Sequence, residues 1–324
     1  MNILMYAIAF LVNVGVMLIV MPKYIKKLKS INITQVTSEY ALEEFKQKDK
    51  TPIMGGLLFV VIPVITFVII RPSAILDKRL LFVMLSYVLY CTVGFLDDYT
   101  IVVKHNNEGL SQKTRLIMEL VYAVGLYFMF RDVIPQQVTI PFFGVSVGLG
   151  WYTFLPFMVL LYMAEANAVN FTDGMDGLCA GVSFIALLPM LIFTLLNGET
   201  NLSIFIFAIL GGLIGYLRFN YHPAKIFMGD SGSVALGALF ASLGLAMDKS
   251  IALFFIGGTF VIEMFCVVVQ QISVRLFHKR VFSYTPIHYA FVIKGFKENR
   301  IVPGFYLLTL ILALIGLFMG LNTP

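Results

Sequence analysis

Residues 2–22 read NILMYAIAFLVNVGVMLIVMP and carry no charge at all. A helix needs about 20 apolar residues in succession to cross roughly 30 Å of hydrocarbon. A cleaved leader would instead open on basic residues and close, after a shorter apolar core, on a small-residue cleavage site. The stretch is therefore expected to be a first membrane span. Outward from it, charge-poor runs recur near 53–70, 80–96, 116–130, 149–164, 177–196, 202–217, 231–247, 251–274 and 302–321. The expected fold is an all-α integral membrane protein, a single polytopic domain over 1–324 with about ten transmembrane helices, the short neighbouring runs being candidates for re-entrant segments. Between spans 4 and 5, residues 138–147 (VTIPFFGVSV) are β-branched and aromatic around Pro141 and Gly144, which predicts a small external β-hairpin.

Composition agrees. Of 324 residues, 59% are hydrophobic and 13% charged, where soluble domains carry roughly 25% charged residues. A water-soluble globule could not hide that much apolar surface. The formal charge of +5 would suggest nucleic acid for a soluble protein, but here it must be apportioned between two sides of a bilayer. Eighteen of the 23 Lys and Arg residues fall in the odd-numbered connections; only Arg71, Lys78, Arg79, Arg131 and Lys249 fall in the even ones. Basic loops stay in the cytoplasm, so both termini are expected outside, and no nucleic-acid partner is called for. Cys91, Cys179 and Cys266 lack metal-ligand spacing and read as packing residues.

A carboxylate in a membrane protein is costly and usually functional. Five aspartates stand at the cytoplasmic ends of the runs: Asp97 and Asp98 in GFLDDY, Asp173 and Asp176 in NAVNFTDGMDG, and Asp230 in FMGDSGS. Asn167, Asn170, Asp173 and Asp176 recur every third residue, so a helix would place them on one face. Such a face suits a base, a ribose or a metal; the alternative is a capping run around Gly174 and Gly177. Adjacent Asp97 and Asp98 must point different ways, one available to a cation and the other to a substrate, unless both are merely solvated. Asp230 lies in a Gly-rich turn before a helix, where backbone N–H groups meet anions and hard carboxylate oxygens suit Mg2+. Its GDSG letters also surround the serine of trypsin-like proteases, a match with no β-barrel to support it.

Basic counterparts lie on the same side. Lys48 and Lys50 precede TPIMGG, whose Gly55 and Gly56 allow close packing into span 2, and Lys113 follows GLSQ. Each reads equally as a topology determinant or a phosphate contact. His288 sits in VFSYTPIHYAFVIKGF, where a lone interfacial histidine is more often structural than catalytic. Glu263, in the middle of span 9, is expected to face other helices, and His105, His222 and His278 carry no ligand spacing.

In this order, GFLDDY, NAVNFTDGMDGL and FMGDSGS resemble the polyprenyl-phosphate N-acetylhexosamine-1-phosphate transferase superfamily, from TPIMGG at 51 to KGF at 294. PIH followed by KGF is similar to its muramoyl-pentapeptide branch. The resemblance implies an Mg2+-dependent exchange at the cytoplasmic face of a bacterial plasma membrane. Undecaprenyl phosphate would attack the sugar-linked phosphorus of UDP-N-acetylmuramoyl-pentapeptide, giving lipid I and UMP. It further implies Asp230 as the Mg2+ ligand, and Asp98, with Asp97 nearby, as the partner of the lipid phosphate. The substrate pocket carries over to Asn167, Asn170, Phe171, Asp173, Asp176, Phe227 and Gly229, with Phe227 stacked on uracil. Lys48 and Lys113 match basic positions, and His288 matches the first histidine of a three-histidine motif. Uridine-containing nucleoside inhibitors and a homodimer are implied in the same way. The sequence departs from the pattern at Ile101, where a lysine is usual, at Lys50–Ile53, where the family has Gly-Thr-Pro-Thr, and at Tyr289 and Ala290, which replace histidines. A sister activity on UDP-N-acetylglucosamine is one alternative. A secondary transporter is the other, and it would place its acids in mid-membrane.

Overall fold

The structure, a computed structural model, describes residues 2–34, 51–104, 109–141 and 143–322. Lys48 and Lys50 lie outside them. Twelve α-helices occur among the described residues: α1 (Asn2–Ser30), α2 (Gly56–Ile70), α3 (Lys78–Lys104), α4 (Gln112–Phe130), α5 (Trp151–Thr172), α6 (Leu178–Leu196), α7 (Thr200–Asn220), α8 (Asp230–Ala246), α9 (Ser250–Ile256), α10 (Gly258–Phe277), α11 (Ile287–Ile293) and α12 (Glu298–Leu321). Seven of these, α1, α3, α5, α6, α7, α10 and α12, are long and apolar enough to cross a membrane, and α2 and α8 are shorter apolar helices. Their outer faces leave Ile3, Leu11 and Ile19 of α1 and Leu307, Leu314 and Phe318 of α12 exposed, as hydrocarbon contact requires.

One expectation is corrected. The run at 251–274 is not a single helix but α9 and α10, broken at Gly257, whose N–H turns back to Leu253 O and Phe255 O. Two consecutive glycines have little helix propensity, and Gly258 is pressed against Leu312, 2.8 Å from where a Cβ would stand.

The expected hairpin is present. β1 (Gln137–Ile140) and β2 (Val145–Gly148) pair antiparallel with Val138 opposite Val147. Asp248, just past the C-terminal end of α8, holds it by accepting from Gln137 Nε2 at 2.7 Å and Thr139 N–H at 3.2 Å. A 17-residue helix is about 25 Å long, so the hairpin sits at the opposite end of the bundle from Asp230.

α8 is the axis of the fold. Every residue from Ser231 to Ala246 is buried, and α3 and α5 are its main neighbours. Helices in lipid gain from close van der Waals approach, which small residues permit. The sequence SGSVALGALFASLGLA is built for this: Gly232 rests on Gly56 of α2, and Gly237 on the backbone of Glu165 and Ala166 in α5. This packing brings the first residue of α8 between the ends of α3 and α5.

Candidate active site

Asp98 closes the N-terminus of α8 from the neighbouring helix. Its carboxylate, 2% exposed, accepts the backbone N–H groups of Asp230 at 2.9 Å and Ser231 at 3.0 Å. Negative charge at this end also meets the positive pole of the helix. Two glycines make the approach possible. A Cβ on Gly94 would lie 2.0 Å from Asp230 O, and one on Gly229 would lie 2.6 Å from Asp98 Oδ2. Gly229 also has φ +74° and ψ 170°, a conformation essentially confined to glycine. Both Asp98 oxygens accept backbone donors, and each keeps a lone pair beyond that bond. Asp97 points the other way and accepts Leu110 N–H at 2.9 Å, tying down the chain that enters α4.

Asp230, with its side chain 23% exposed, is the most open of the three. Asn170 Nδ2 donates to its Oδ1 at 2.7 Å and Arg115 Nη1 to its Oδ2 at 2.7 Å. Asn170 also donates to Ser233 Oγ at 2.9 Å. Arg115 Nε reaches Glu119 Oε1 at 3.3 Å, and Asn167 Nδ2 donates to Glu119 Oε2 at 3.1 Å. Arg115 and Glu119 lie outside the acidic motifs and carry no motif of their own in the sequence. Their spacing of four on α4 was the available signal, since such pairs face one another on a helix, but it is common on any helix surface. The charge of Asp230 repels those of Asp97 and Asp98. Clustered carboxylates of this kind suit a hard cation such as Mg2+, and Asp230, the most open of them, could hold it.

The three-residue periodicity does not continue as one helical face. α5 ends at Thr172, so Asn167 and Asn170 share its inner side while Asp173 and Asp176 lie in the turn beyond. Burial, and secondarily the charge of Asp230, push the Asp173 carboxyl up to about 8, against a bond from the Gly229 N–H. Burial thus shifts Asp173 towards its neutral form. Asp176 turns away to bracket a separate junction. It accepts Ala224 N–H at 2.9 Å and pairs with His222 Nδ1 at 3.0 Å, while its own N–H donates to Glu298 at the start of α12. His222 thus has a structural partner that its sequence surroundings did not reveal.

Phe227 is positioned by backbone pairing. Its N–H donates to Pro52 O and its O accepts from Gly55 N–H, both at 2.8 Å, and Gly56 N–H reaches Met228 O at 2.8 Å. This short ladder fixes the backbone at Phe227, which is half-buried. Phe171, at the end of α5, is also half-buried, and Lys113 is exposed on the first turn of α4, whose N-cap is Ser111.

His288 is not an open side chain. It is fully buried on α11, with Nδ1 3.1 Å from Glu263 Oε1, while Glu263 Oε2 accepts Ile287 N–H at 2.7 Å. Its Nε2 has no partner among the described residues and lies 2.1 Å from where a Gly174 Cβ would stand. Tyr289, where the family has histidine, donates its hydroxyl to Gly174 O at 3.1 Å. Both residues hold the turn that carries Asp173.

Fold and site together define a polytopic helical membrane protein with an acid-lined polar centre at one end of its bundle, hung on the N-terminus of a buried helix. Residues 80–248 match the family model of glycosyl transferase family 4. The chain is 37% identical over 328 positions to a phospho-N-acetylmuramoyl-pentapeptide-transferase of Staphylococcus aureus strain bovine RF122 / ET3-1, covering 99% of this chain and 100% of the relative. It is 36% identical over 325 positions, with the same coverage, to the protein of that name from strain MSSA476. The chain belongs to glycosyl transferase family 4.

Proposed function

We propose that this protein is a phospho-N-acetylmuramoyl-pentapeptide transferase, joining the phospho-sugar of UDP-N-acetylmuramoyl-pentapeptide to undecaprenyl phosphate in peptidoglycan synthesis. A phosphate oxygen of the lipid attacks the sugar-linked phosphorus, the bond from that phosphorus to UMP breaks, and the products are lipid I and UMP. The observation that carries the reading is the meeting of Asp97, Asp98, Asp230 and Asn170 at one end of a membrane bundle, in a chain alike over its whole length to enzymes of that name.

Phosphoryl transfer depends mainly on positioning and charge neutralisation. Asp230 would hold Mg2+, whose charge supplies the neutralisation of the diphosphate oxygens. Asp98, with Asp97 nearby, orients the lipid phosphate and accepts its proton, since each carboxylate keeps lone pairs beyond the backbone N–H bonds it accepts. Phe227 offers its ring to the uracil, Phe171, Asn167, Asn170, Asp173, Asp176 and Gly229 complete the nucleoside pocket, and Lys48 and Lys113 contact phosphate. His288 acts as a positioning residue beneath the Asp173 turn. The proposal includes ten crossings of a bacterial plasma membrane, with α9 and α10 forming one interrupted crossing, both termini outside and the acids facing the cytoplasm. A homodimer and susceptibility to uridine-containing nucleoside inhibitors belong to the same reading.

The test is incubation of purified protein with undecaprenyl phosphate, UDP-N-acetylmuramoyl-pentapeptide and Mg2+. UMP and a lipid-linked sugar are expected, and UDP-N-acetylglucosamine in place of the donor is expected to give neither. No product in detergent or in lipid would sink the assignment.

A further inference from the structure

Arg115 is held by two acids and is still short of a partner. Its Nε is bonded to Glu119, its Nη1 to Asp230 at 2.7 Å, and its side chain is only 15% exposed. Nη2 is buried with no acceptor among the described residues. A guanidinium has five donors in a rigid fork matched to carboxylate or phosphate oxygens, and a buried donor without an acceptor costs free energy. Glu119 is itself fixed. Asn167 donates to its Oε2 at 3.1 Å, and its backbone O accepts the Tyr90 hydroxyl at 2.8 Å. The guanidinium can therefore pivot about an anchored Nε bond while its two Nη groups change partners.

Resting on the proposed transferase reading, we propose that Arg115 is an exchangeable counter-ion. It competes with the divalent cation for Asp230, and when it yields, its Nη groups bind the diphosphate of the nucleotide. The electrostatics require the competition. A divalent cation on Asp230 and a guanidinium 2.7 Å from the same carboxylate are like charges a few ångströms apart, and such neighbours repel strongly in a partly buried site. The released fork would then face the anion that the cation helps to recruit, with geometry suited to two oxygens at once.

The experiment uses the full chain in detergent with Mn2+ as a spectroscopic probe of the cation site, and separately measures binding of uridine and UMP. Arg115→Gln is expected to bind Mn2+ on the order of tenfold more tightly, since a competing positive charge is gone. Its affinity for UMP should fall on the order of tenfold while that for uridine holds, because only UMP presents phosphate oxygens. Arg115→Lys, which keeps the charge but loses the fork, should leave Mn2+ binding near the parent value and still weaken UMP, and it serves if Arg115→Gln does not fold. Mn2+ binding that is unchanged or weaker in Arg115→Gln would overturn the exchange, as would equal losses for uridine and UMP. In Arg115→Lys, undiminished UMP binding would do the same. If the parent binds neither nucleotide, the transferase reading fails, and the Mn2+ comparison alone decides the competition for Asp230.

Discussion

At the scale of single residues, environment sorts chemically identical side chains into different tasks. Asp98 accepts two backbone N–H groups, Asp176 brackets a junction with His222, and Asp230 is left partly open. Asp173 is the one whose protonation the site sets, with its carboxyl raised from the ordinary 3.8 to about 8. A carboxyl raised on folding binds its proton more tightly in the native state. Its contribution to stability is complete below about 4 and is lost as pH rises through about 8. Thermal unfolding of the detergent-solubilised protein should therefore occur at lower temperature as pH climbs through that window, and Asp173→Asn should flatten the dependence. The same slope in both proteins would place the titration elsewhere. At Phe227, loss of the ring should weaken uridine binding by about 1–3 kcal/mol, the usual worth of base stacking on an aromatic. Calorimetry on Phe227→Ala checks this, and unchanged affinity would remove the ring from the pocket.

At the scale of elements, the site depends on how closely α8 approaches α3. Helix packing this tight needs glycine where one backbone crosses the other, and Gly94 is that position, with Asp230 O 2.0 Å from its absent Cβ. Gly94→Ala should destabilise the fold by about 1–3 kcal/mol through overpacking. It should also lower turnover by moving Asp230 away from Asn170 and Arg115. A variant with parental melting temperature and activity would show that the helices can part without consequence. The short helix α11 is placed by a different device, the Glu263 carboxylate, which accepts Ile287 N–H and pairs with His288. That explains how Tyr289 and Ala290 can stand where the family has histidines: Tyr289 bonds the turn at Gly174 and Ala290 fills a buried space.

At the scale of the whole molecule, the acids and the hairpin occupy opposite ends of α8. That polarity makes the orientation testable. Cys91, Cys179 and Cys266 are all buried, so introduced cysteines report without background. Phe143, 79% exposed at the hairpin, should react as Phe143→Cys with an impermeant thiol reagent in intact cells. Lys113→Cys should react only once the membrane is opened. The reverse pattern would turn the protein over.

The sequence alone determined the class of the protein, because hydrophobic run length answers directly to the thickness of a bilayer. It also marked the acidic motifs, because carboxylates are scarce in so apolar a chain. It did not reveal the break at Gly257, since a glycine pair inside an apolar run reads the same whether the helix continues or stops. Which aspartate caps a helix, which brackets a junction and which stays open was decided only in three dimensions. Asp98 and Asp230 are separated by 132 residues, and Arg115 and Asp230 by 115. Hydrogen bonds across such distances exist only after α3, α4, α5 and α8 have packed, and no local pattern encodes them.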